Sequence, residues 1–338
     1  MKVLYAIQGT GNGHLSRARD IIPILQKHKL ELDILVSGTQ ADIQIPHPVK
    51  YQLKGWSFIF GKKGGVDVWK TYLKTNAARL QKEIKSIPVG DYDLIINDFE
   101  PVSAWACKLS KKPCISFSHQ AAVLSENTPK PKKSDPLGKL ILKKYAPTTK
   151  QFGLHFKNYD EHTYTPIIRQ EIRNSTLTNG EHYTVYLPSY SDEKILELLS
   201  KIKNVHWDVF SKHTDTNFFW KNIAVRKINN EAFINSMATG KGILCGAGFE
   251  TPAEALHMGK KLLVIPMKTQ YEQQCNAAAL ADMGVPVVKS FKMKHLDTIK
   301  DWVESEPKIQ MFYPDITETI IDRILKEAPL GAIRQPTA

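Results

Sequence analysis

Three short segments of this chain hold side chains whose types and spacing suit an anion flanked by hydroxyl groups. The first is Cys245-Gly-Ala-Gly-Phe-Glu-Thr-Pro-Ala-Glu-Ala-Leu-His257. Its lead-in, Gly242-Ile-Leu-Cys245, reads as a buried strand, and Gly246 and Gly248 allow a tight turn and close approach of a ligand to the backbone. Thr251 is expected to cap the following helix, with Pro252 in its first turn. Such a helix start presents unpaired N–H groups and partial positive charge, which together suit a diphosphate. Glu254 lies three residues after Thr251 and therefore on the same helix face, where a carboxylate accepts hydrogen bonds from paired hydroxyls such as a ribose diol. Beyond the strand Lys261-Leu-Leu-Val-Ile-Pro266, a second helix carries Glu272, Gln273 and Asn276, three or four residues apart on one face and suited to sugar hydroxyls. Each piece has an ordinary reading as well, a common glycine turn or a solvated glutamate; the joint pattern carries the argument.

The second and third segments lie in the first half of the chain. The strand Lys2-Val-Leu-Tyr-Ala-Ile7 runs into Gln8-Gly-Thr-Gly-Asn-Gly-His14, and Leu15 to His28 then has a helical apolar stripe. This glycine loop is not a dinucleotide fingerprint. His14 stands where the third glycine belongs, and the next strand, Leu32 to Ser37, ends without the ribose-binding acid. An imidazole there suits general-base work, because it titrates near neutrality and a carboxylate can orient it; its alternative is a packing or capping histidine. Asp98 ends the strand Tyr92-Asp-Leu-Ile-Ile-Asn-Asp98, where open α/β sheets place functional groups. It is the first candidate to orient His14, with Glu100 in reserve, and its alternative is the cap of the helix that begins near Pro101. The strand Pro113 to His119 delivers Ser118, His119 and Gln120 to the same rim.

Taken together, Gly248, Thr251, Glu254, Pro266, Glu272, Gln273, Asn276 and Ala277 resemble the nucleotide-sugar site of GT-B glycosyltransferases. The resemblance is greatest to the bacterial peptidoglycan lipid-intermediate N-acetylglucosaminyl transferase and the small-molecule UDP-glycosyltransferases, whose first loop is also glycine-rich and carries a histidine. It implies that Gly248 and Thr251 hold a donor diphosphate, that Glu254 binds the ribose, and that Glu272 with Gln273 bind the hexose hydroxyls; Gly246 and Asn276 are expected in the same donor site. It further implies His14 as general base for the acceptor; Gly11, Asn12 and Gly13 are expected beside the acceptor with His119 as a second contact, and the strand-end position makes Asp98 the expected orienter of His14. The sequence departs from the glucosyltransferase pattern at Gly246, where many relatives carry histidine, and at Phe249-Glu250, where they carry Trp-Asn. Glu250 thus adds a carboxylate near the expected phosphate, either pointing away or binding a hydroxyl. The implied reaction is inverting transfer of a sugar from a nucleotide sugar, expected to be a UDP-sugar, to a hydroxyl acceptor that is lipid-linked or part of the cell envelope. Neither a cofactor nor a metal is expected, and no Asp-x-Asp pair is placed to hold a cation on the diphosphate.

The elements that must position these groups alternate strand and helix throughout, which predicts α/β architecture: two Rossmann-like domains, each a doubly wound parallel sheet, facing a cleft. The expected division is 1–163 for the acceptor domain, 164–312 for the nucleotide-sugar domain, and 313–338 for a terminal helix returning to the first domain and a loose tail. At 338 residues, 42% hydrophobic and 24% charged, the chain has the length and composition of a two-domain globular enzyme. Its cysteines, Cys107, Cys114, Cys245 and Cys275, have no metal-type spacing, and reduced thiols are expected. No apolar run approaches transmembrane length and Met1 to Ile7 is no signal peptide, so a cytoplasmic protein is expected.

The formal net charge of +12 points either to solubility or to an anionic membrane surface on its inner face; basic runs without interleaved aromatics do not suit nucleic acid. The basic, proline-rich stretch Asn127 to Ser134 and the amphipathic segment Leu137 to Tyr145 are the candidates for lipid contact, the alternative being a solvated loop and surface helix. The loop Phe60-Gly-Lys-Lys-Gly-Gly65, before a helix expected from Asp67 to Ile87, is either an acceptor-cleft loop or a solvated turn. Two other functions share these features: a nucleotide-sugar 2-epimerase of the same fold, and a non-catalytic basic protein that binds lipid or nucleic acid.

Overall fold

A computed structural model describes residues 1–38, 45–56, 60–61, 65–66, 76–306 and 309–327. The first half comprises β1 (Lys2–Gln8), α1 (Asn12–Lys27), β2 (Glu31–Ser37), β3 (Tyr51–Leu53), β4 (Phe60–Gly61), β5 (Gly65–Val66), α2 (Ala77–Ser86), β6 (Leu94–Asp98), α3 (Pro101–Leu109), β7 (Ile115–Ser118), α4 (His119–Leu124), α5 (Pro136–Tyr145), β8 (Lys150–Leu154) and β9 (Thr163–Tyr164). The second half holds α6 (Gln170–Arg173), β10 (His182–Tyr186), α7 (Asp192–Leu199), β11 (His206–Ser211), β12 (Phe218–Trp220), β13 (Ile223–Lys227), α8 (Asn230–Thr239), β14 (Gly242–Gly246), α9 (Glu250–His257), β15 (Lys261–Ile265), α10 (Tyr271–Asp282), α11 (Leu296–Glu304) and α12 (Thr317–Lys326).

The strands form two main sheets. The first is ordered β3-β2-β1-β6-β7-β8-β9 and its pairs are parallel. The second is ordered β12-β13-β11-β10-β14-β15 and is parallel except for the edge pair β12–β13. In each sheet the chain winds outward in one direction and then returns to start again on the other side of its first strand. That reversal creates a crevice at the strands' carboxyl ends, between β1 and β6 in the first sheet and between β10 and β14 in the second. The loop carrying His14, Asp98 and the helix that begins at Glu250 therefore all leave strands bordering such a crevice.

The elements form where apolar residues recur at the right period. β1 is buried from Val3 to Gln8, and α1 buries Leu15, Ala18, Ile21, Ile22 and Leu25 as its expected stripe. One apolar cluster continues from the first sheet into the second, taking in Ile7, Leu15, Phe117 and Phe156 on one side and Ile243, Phe249, Ala253 and Val264 on the other. The outer faces are packed separately, around Leu4, Tyr92 and Ile95 in one domain and Tyr183, Trp207 and Trp302 in the other. Helix α12 packs on α1 and contributes Ile320, Ile321 and Ile324 to the shared cluster, so the chain's last described helix returns to the first domain.

Several local expectations shift. Helix α1 begins at Asn12 rather than Leu15, because Gly11 adopts φ 91° and turns the chain into the helix three residues earlier. After α10 the described chain adds only a single parallel bridge, Val287 with Val264 of β15. The first sheet ends with Thr163–Tyr164. The expected helix from Asp67 begins in residues outside those described, as do residues 62–64 of the Phe60 loop and the tail after Leu330. Because Ile321 is fully buried between α12 and α1, Ile321→Ala should lower stability by about 2–5 kcal/mol. Urea denaturation with an unchanged m value would record this; a loss below ~0.5 kcal/mol would mean that the helix does not seal the first domain.

Candidate active site

The first crevice brings His14 and Asp98 together. Asp98 ends β6 opposite Ile7 of β1, and the short loop after β1 places His14 in the first turn of α1. His14 Nδ1 lies 2.8 Å from Asp98 Oδ1. Because a carboxylate only accepts, this contact, shorter than the 3.3 Å approach of Arg17 Nη2 to the same nitrogen, assigns the proton to Nδ1 and leaves the Nε2 lone pair as the basic site. Among the described residues Nε2 has no hydrogen-bond partner. Arg17, one turn on from His14, donates from Nη2 to both Asp98 oxygens at 2.7 Å. Burial raises the Asp98 carboxyl, but the charges of Arg17 and His14 overcome that and hold it below the ordinary carboxylate range.

The backbone beside Asp98 is unusual. Phe99 has φ 56°, a left-handed conformation that costs a bulky L-residue about 1–3 kcal/mol. Its ring lies 6.3 Å from that of His14 and packs on Tyr145. Glu100, the reserve orienter, is instead the cap of α3: it accepts from the backbone N–H groups of Val102 and Ser103 and from the Ser37 hydroxyl.

The second crevice supplies the start of α9. The helix begins at Glu250, so Thr251 is not its cap, as the sequence suggested, but stands inside the first turn with Pro252 after it. The glycines also act differently from expectation. Neither Gly246 nor Gly248 has a positive φ; Gly246 ends β14, and a Cβ on Gly248 would meet nothing within 4 Å. What Gly248 provides is open space beside the helix start. Glu254 is 2% exposed and paired with Arg169, whose Nε donates to one carboxylate oxygen and Nη2 to the other at 2.9 Å. Glu250 receives a hydrogen bond from Arg17 Nη1 across the domain boundary, and burial raises its carboxyl to about 7 despite that cation.

The helix after β15 has a mixed outcome. Glu272 Oε2 accepts from Gln120 Nε2 at 3.0 Å, and Gln273 Oε1 accepts from the Met267 N–H at 2.9 Å, leaving the Gln273 amide group toward the cleft. Asn276 is fully buried, donates to Ala247 O, and faces His119 Nε2 at 2.7 Å. His119 is 1% exposed, its Nδ1 lies 2.7 Å from Leu154 O, and its ring stacks on Phe249 at 3.9 Å. With both nitrogens engaged, His119 has none to offer an acceptor hydroxyl. It lines the cleft, but its contact with Asn276 fastens the two domains together, and burial lowers the His119 pKa.

A cleft of about 1020 Å³ between the domains gathers the remainder. Gly11, Asn12, Gly13, His14 and Phe99 line one wall; Gly248, Glu250, Thr251, Glu254, Glu272 and Gln273 line the other. Asp98, Gly246 and Asn276 stand behind these walls. Arg17 is marked in the sequence only by its spacing, three residues from His14 and so on the same helix face. No local pattern marks Arg169, which comes from the segment between the sheets. Among the described residues, no group of three or more His, Cys, Asp or Glu side chains is arranged to hold a metal ion.

Arg169 and Glu254 are both buried, so removing one partner leaves an uncompensated charge. Arg169→Met should destabilise the protein by about 3–5 kcal/mol, and adding Glu254→Leu should restore much of that loss. Denaturant titration of the two single variants and the double variant measures this; additive losses would show that the pair is not coupled.

A family model described as glycosyl transferase family 1 matches residues 1–307. No curated protein matches the sequence. Among solved structures, the chain is similar to MurG of Acinetobacter baumannii, with 14% identity, TM-score 0.57, and coverage of 96% of this chain and 99% of that one. It is similar to UGT89C1 of Arabidopsis thaliana, a structure complexed with UDP, with 12% identity, TM-score 0.56, and coverage of 98% and 96%. A spinosyn rhamnosyltransferase, SpnG, complexed with thymidine diphosphate, gives 11% identity, TM-score 0.56, and coverage of 97% of each chain. At these identities the structures establish the two-domain GT-B fold, and the model match along nearly the whole sequence establishes the family: the chain belongs to glycosyl transferase family 1.

Proposed function

We propose that the protein transfers a sugar from a UDP-sugar to a hydroxyl acceptor, with inversion at the anomeric carbon and without a metal ion. The observation that carries this reading is the His14–Asp98 pair on one wall of a cleft whose other wall holds the start of α9. A base and an anion-stabilising helix start on opposed walls suit a single displacement. The acceptor oxygen attacks the anomeric carbon as His14 Nε2 takes its proton, and the bond from that carbon to the diphosphate oxygen breaks. The electron pair departs with the diphosphate, which the first-turn N–H groups of α9 and the Thr251 hydroxyl stabilise. Asp98 stays ionised and stabilises the imidazolium.

Gly248 gives the diphosphate room beside the helix. Glu254 still has acceptor lone pairs for the ribose diol, because Arg169 occupies only one direction on each oxygen. Glu272 and the Gln273 amide face the hexose, and Gly11, Asn12 and Gly13 border the acceptor. Complexes of UGT89C1 with UDP and of SpnG with thymidine diphosphate support a nucleoside diphosphate in a site of this fold.

A lipid-linked acceptor and a peripheral place on the inner membrane face complete the proposal. Helix α5 is 60% exposed at Leu137 and 50% at Leu140, with Lys139, Lys143 and Lys144 exposed beside them, while its Gly138, Ile141 and Leu142 line the cleft. An apolar and basic outer face continuous with the cleft suits an acceptor drawn from a lipid surface. Lys130 is less available than the sequence implied, since its Nζ bonds to the carbonyls of Ser125 and Thr128 in its own loop. No described helix is long and apolar enough to cross a membrane.

His14→Ala should lower donor turnover by about 10²–10⁴-fold while leaving the UDP Kd unchanged, and Glu254→Gln should weaken UDP binding by roughly tenfold. Calorimetry with UDP, TDP and GDP, followed by turnover of UDP-glucose and UDP-N-acetylglucosamine over an acceptor panel, tests both. Undiminished turnover in His14→Ala, or a 2-epimerised donor formed without acceptor, would contradict the reading. On vesicles containing anionic lipid, changing Lys139, Lys143 and Lys144 together to Gln should weaken binding by about 1 kcal/mol per residue. Equal binding to neutral vesicles would argue against this surface.

A further inference from the structure

We propose that Arg17 is a donor-binding residue and that the Glu250 carboxylate sits on the anion locus that a donor phosphate takes over when it binds. This rests on the reading above, which places a nucleoside diphosphate at the start of α9. The two helix starts that border the cleft meet at this point: a Cβ on Gly13 of α1 would lie 3.0 Å from Glu250 Cγ of α9. Both helix starts lie beside this point, and a helix start carries partial positive charge. Between them stands Arg17, 2% exposed, with Nη2 on Asp98, Nη1 on Glu250, and Nε buried without a hydrogen-bond partner among the described residues. Two helix N-termini and one buried guanidinium thus converge on a single carboxylate. That is the environment of a bound phosphate, built around a side chain.

The two carboxylates on Arg17 are not equivalent. Asp98 is fully buried, takes two hydrogen bonds from Arg17, and also contacts His14. Glu250 is 18% exposed on the cleft side, takes one hydrogen bond, and occupies the first residue of its helix, from which the side chain can turn outward. The charged groups around it are Arg17 and His14 of α1, Asp98 of β6, Glu254 of its own helix, and Arg169, which pairs with Glu254. With Glu250 ionised the site already holds three carboxylates against two guanidiniums, and an arriving diphosphate would add to that excess of negative charge. Exchange resolves the conflict: a phosphate oxygen takes the Arg17 Nη1–H while Glu250 turns to solvent or binds a proton. Burial already raises the Glu250 carboxyl to about 7, so either course is accessible near neutral pH. The guanidinium remains on Asp98 throughout, so donor arrival is felt by the group that orients His14.

The test is calorimetric titration of the full chain, wild type, Glu250→Gln and Arg17→Lys, with UDP and with uridine. Gln keeps the size of Glu250 and its hydrogen bond to Arg17 but not its charge. Glu250→Gln should therefore bind UDP roughly tenfold more tightly than the wild type, with uridine affinity unchanged. Arg17→Lys should weaken UDP binding by at least about tenfold with little effect on uridine. If wild-type protein binds UDP and Glu250→Gln binds it equally or more weakly, Glu250 is a bystander or a ligand, and this inference fails while the donor site stands. If neither UDP nor uridine binds the wild type, the donor reading fails and takes this inference with it. Should Arg17→Lys not fold, the Glu250→Gln comparison decides the matter alone.

Discussion

A single buried cation organises the functional centre. Arg17 holds Asp98 from one sheet and Glu250 from the other, and Asp98 in turn fixes the His14 ring. A guanidinium suits this position because its planar fork serves two carboxylates at once and it does not deprotonate when buried. Without it Asp98 would be a buried, unpaired charge, and the imidazole would lose the partner that sets its tautomer. The arrangement depends on the two crevices facing each other, which follows from the reversal of strand order in each sheet. The apolar cluster shared between the domains, with the His119–Phe249 stack and the Asn276 bond behind it, holds that facing geometry.

The division of labour between the walls has a physical rationale. In the proposed reaction the first domain supplies the groups that move or hold a proton, an imidazole and its carboxylate, and the strained Phe99 directs the chain between Asp98 and the Glu100 cap. The second concentrates what must stabilise negative charge: a helix start with an open glycine beside it. Glu250 belongs to the opposite wall and stands at the rim, rather than behind the wall as Asp98 does, so its displacement is compatible with an intact fold.

Much of this was legible in the sequence, for identifiable reasons. Alternating strand and helix periods fixed the fold class, and the strand ends at Ile7, Asp98 and Gly246 located the crevices, because apolar runs that stop at polar residues mark where a parallel sheet opens. The proximity of His14 to Asp98 follows from that logic alone. Less legible were effects of exact helix starts and of long-range pairing. Thr251 fell inside α9 and His14 inside α1 because one residue in each loop set the boundary. His119 and Asn276 have the chemistry of sugar-binding groups, yet they are consumed by each other across 157 residues. Arg169 and Glu254 likewise meet only through the tertiary fold. No local pattern distinguishes a polar side chain that faces a ligand from one that meets a partner on the other domain.

In the proposed reaction acceptor and leaving group occupy opposed walls, with His14 on one side and the start of α9 on the other. The most direct measurement is the anomeric configuration of the first-formed product, followed by proton NMR before mutarotation during slow hydrolysis of an α-linked UDP-sugar, where water serves as acceptor. The account predicts that the β-sugar appears first in the wild type and that its formation is lost in His14→Ala. Initial release of the α-sugar would show retention, which requires the acceptor to approach from the side of the departing diphosphate and would contradict the arrangement described.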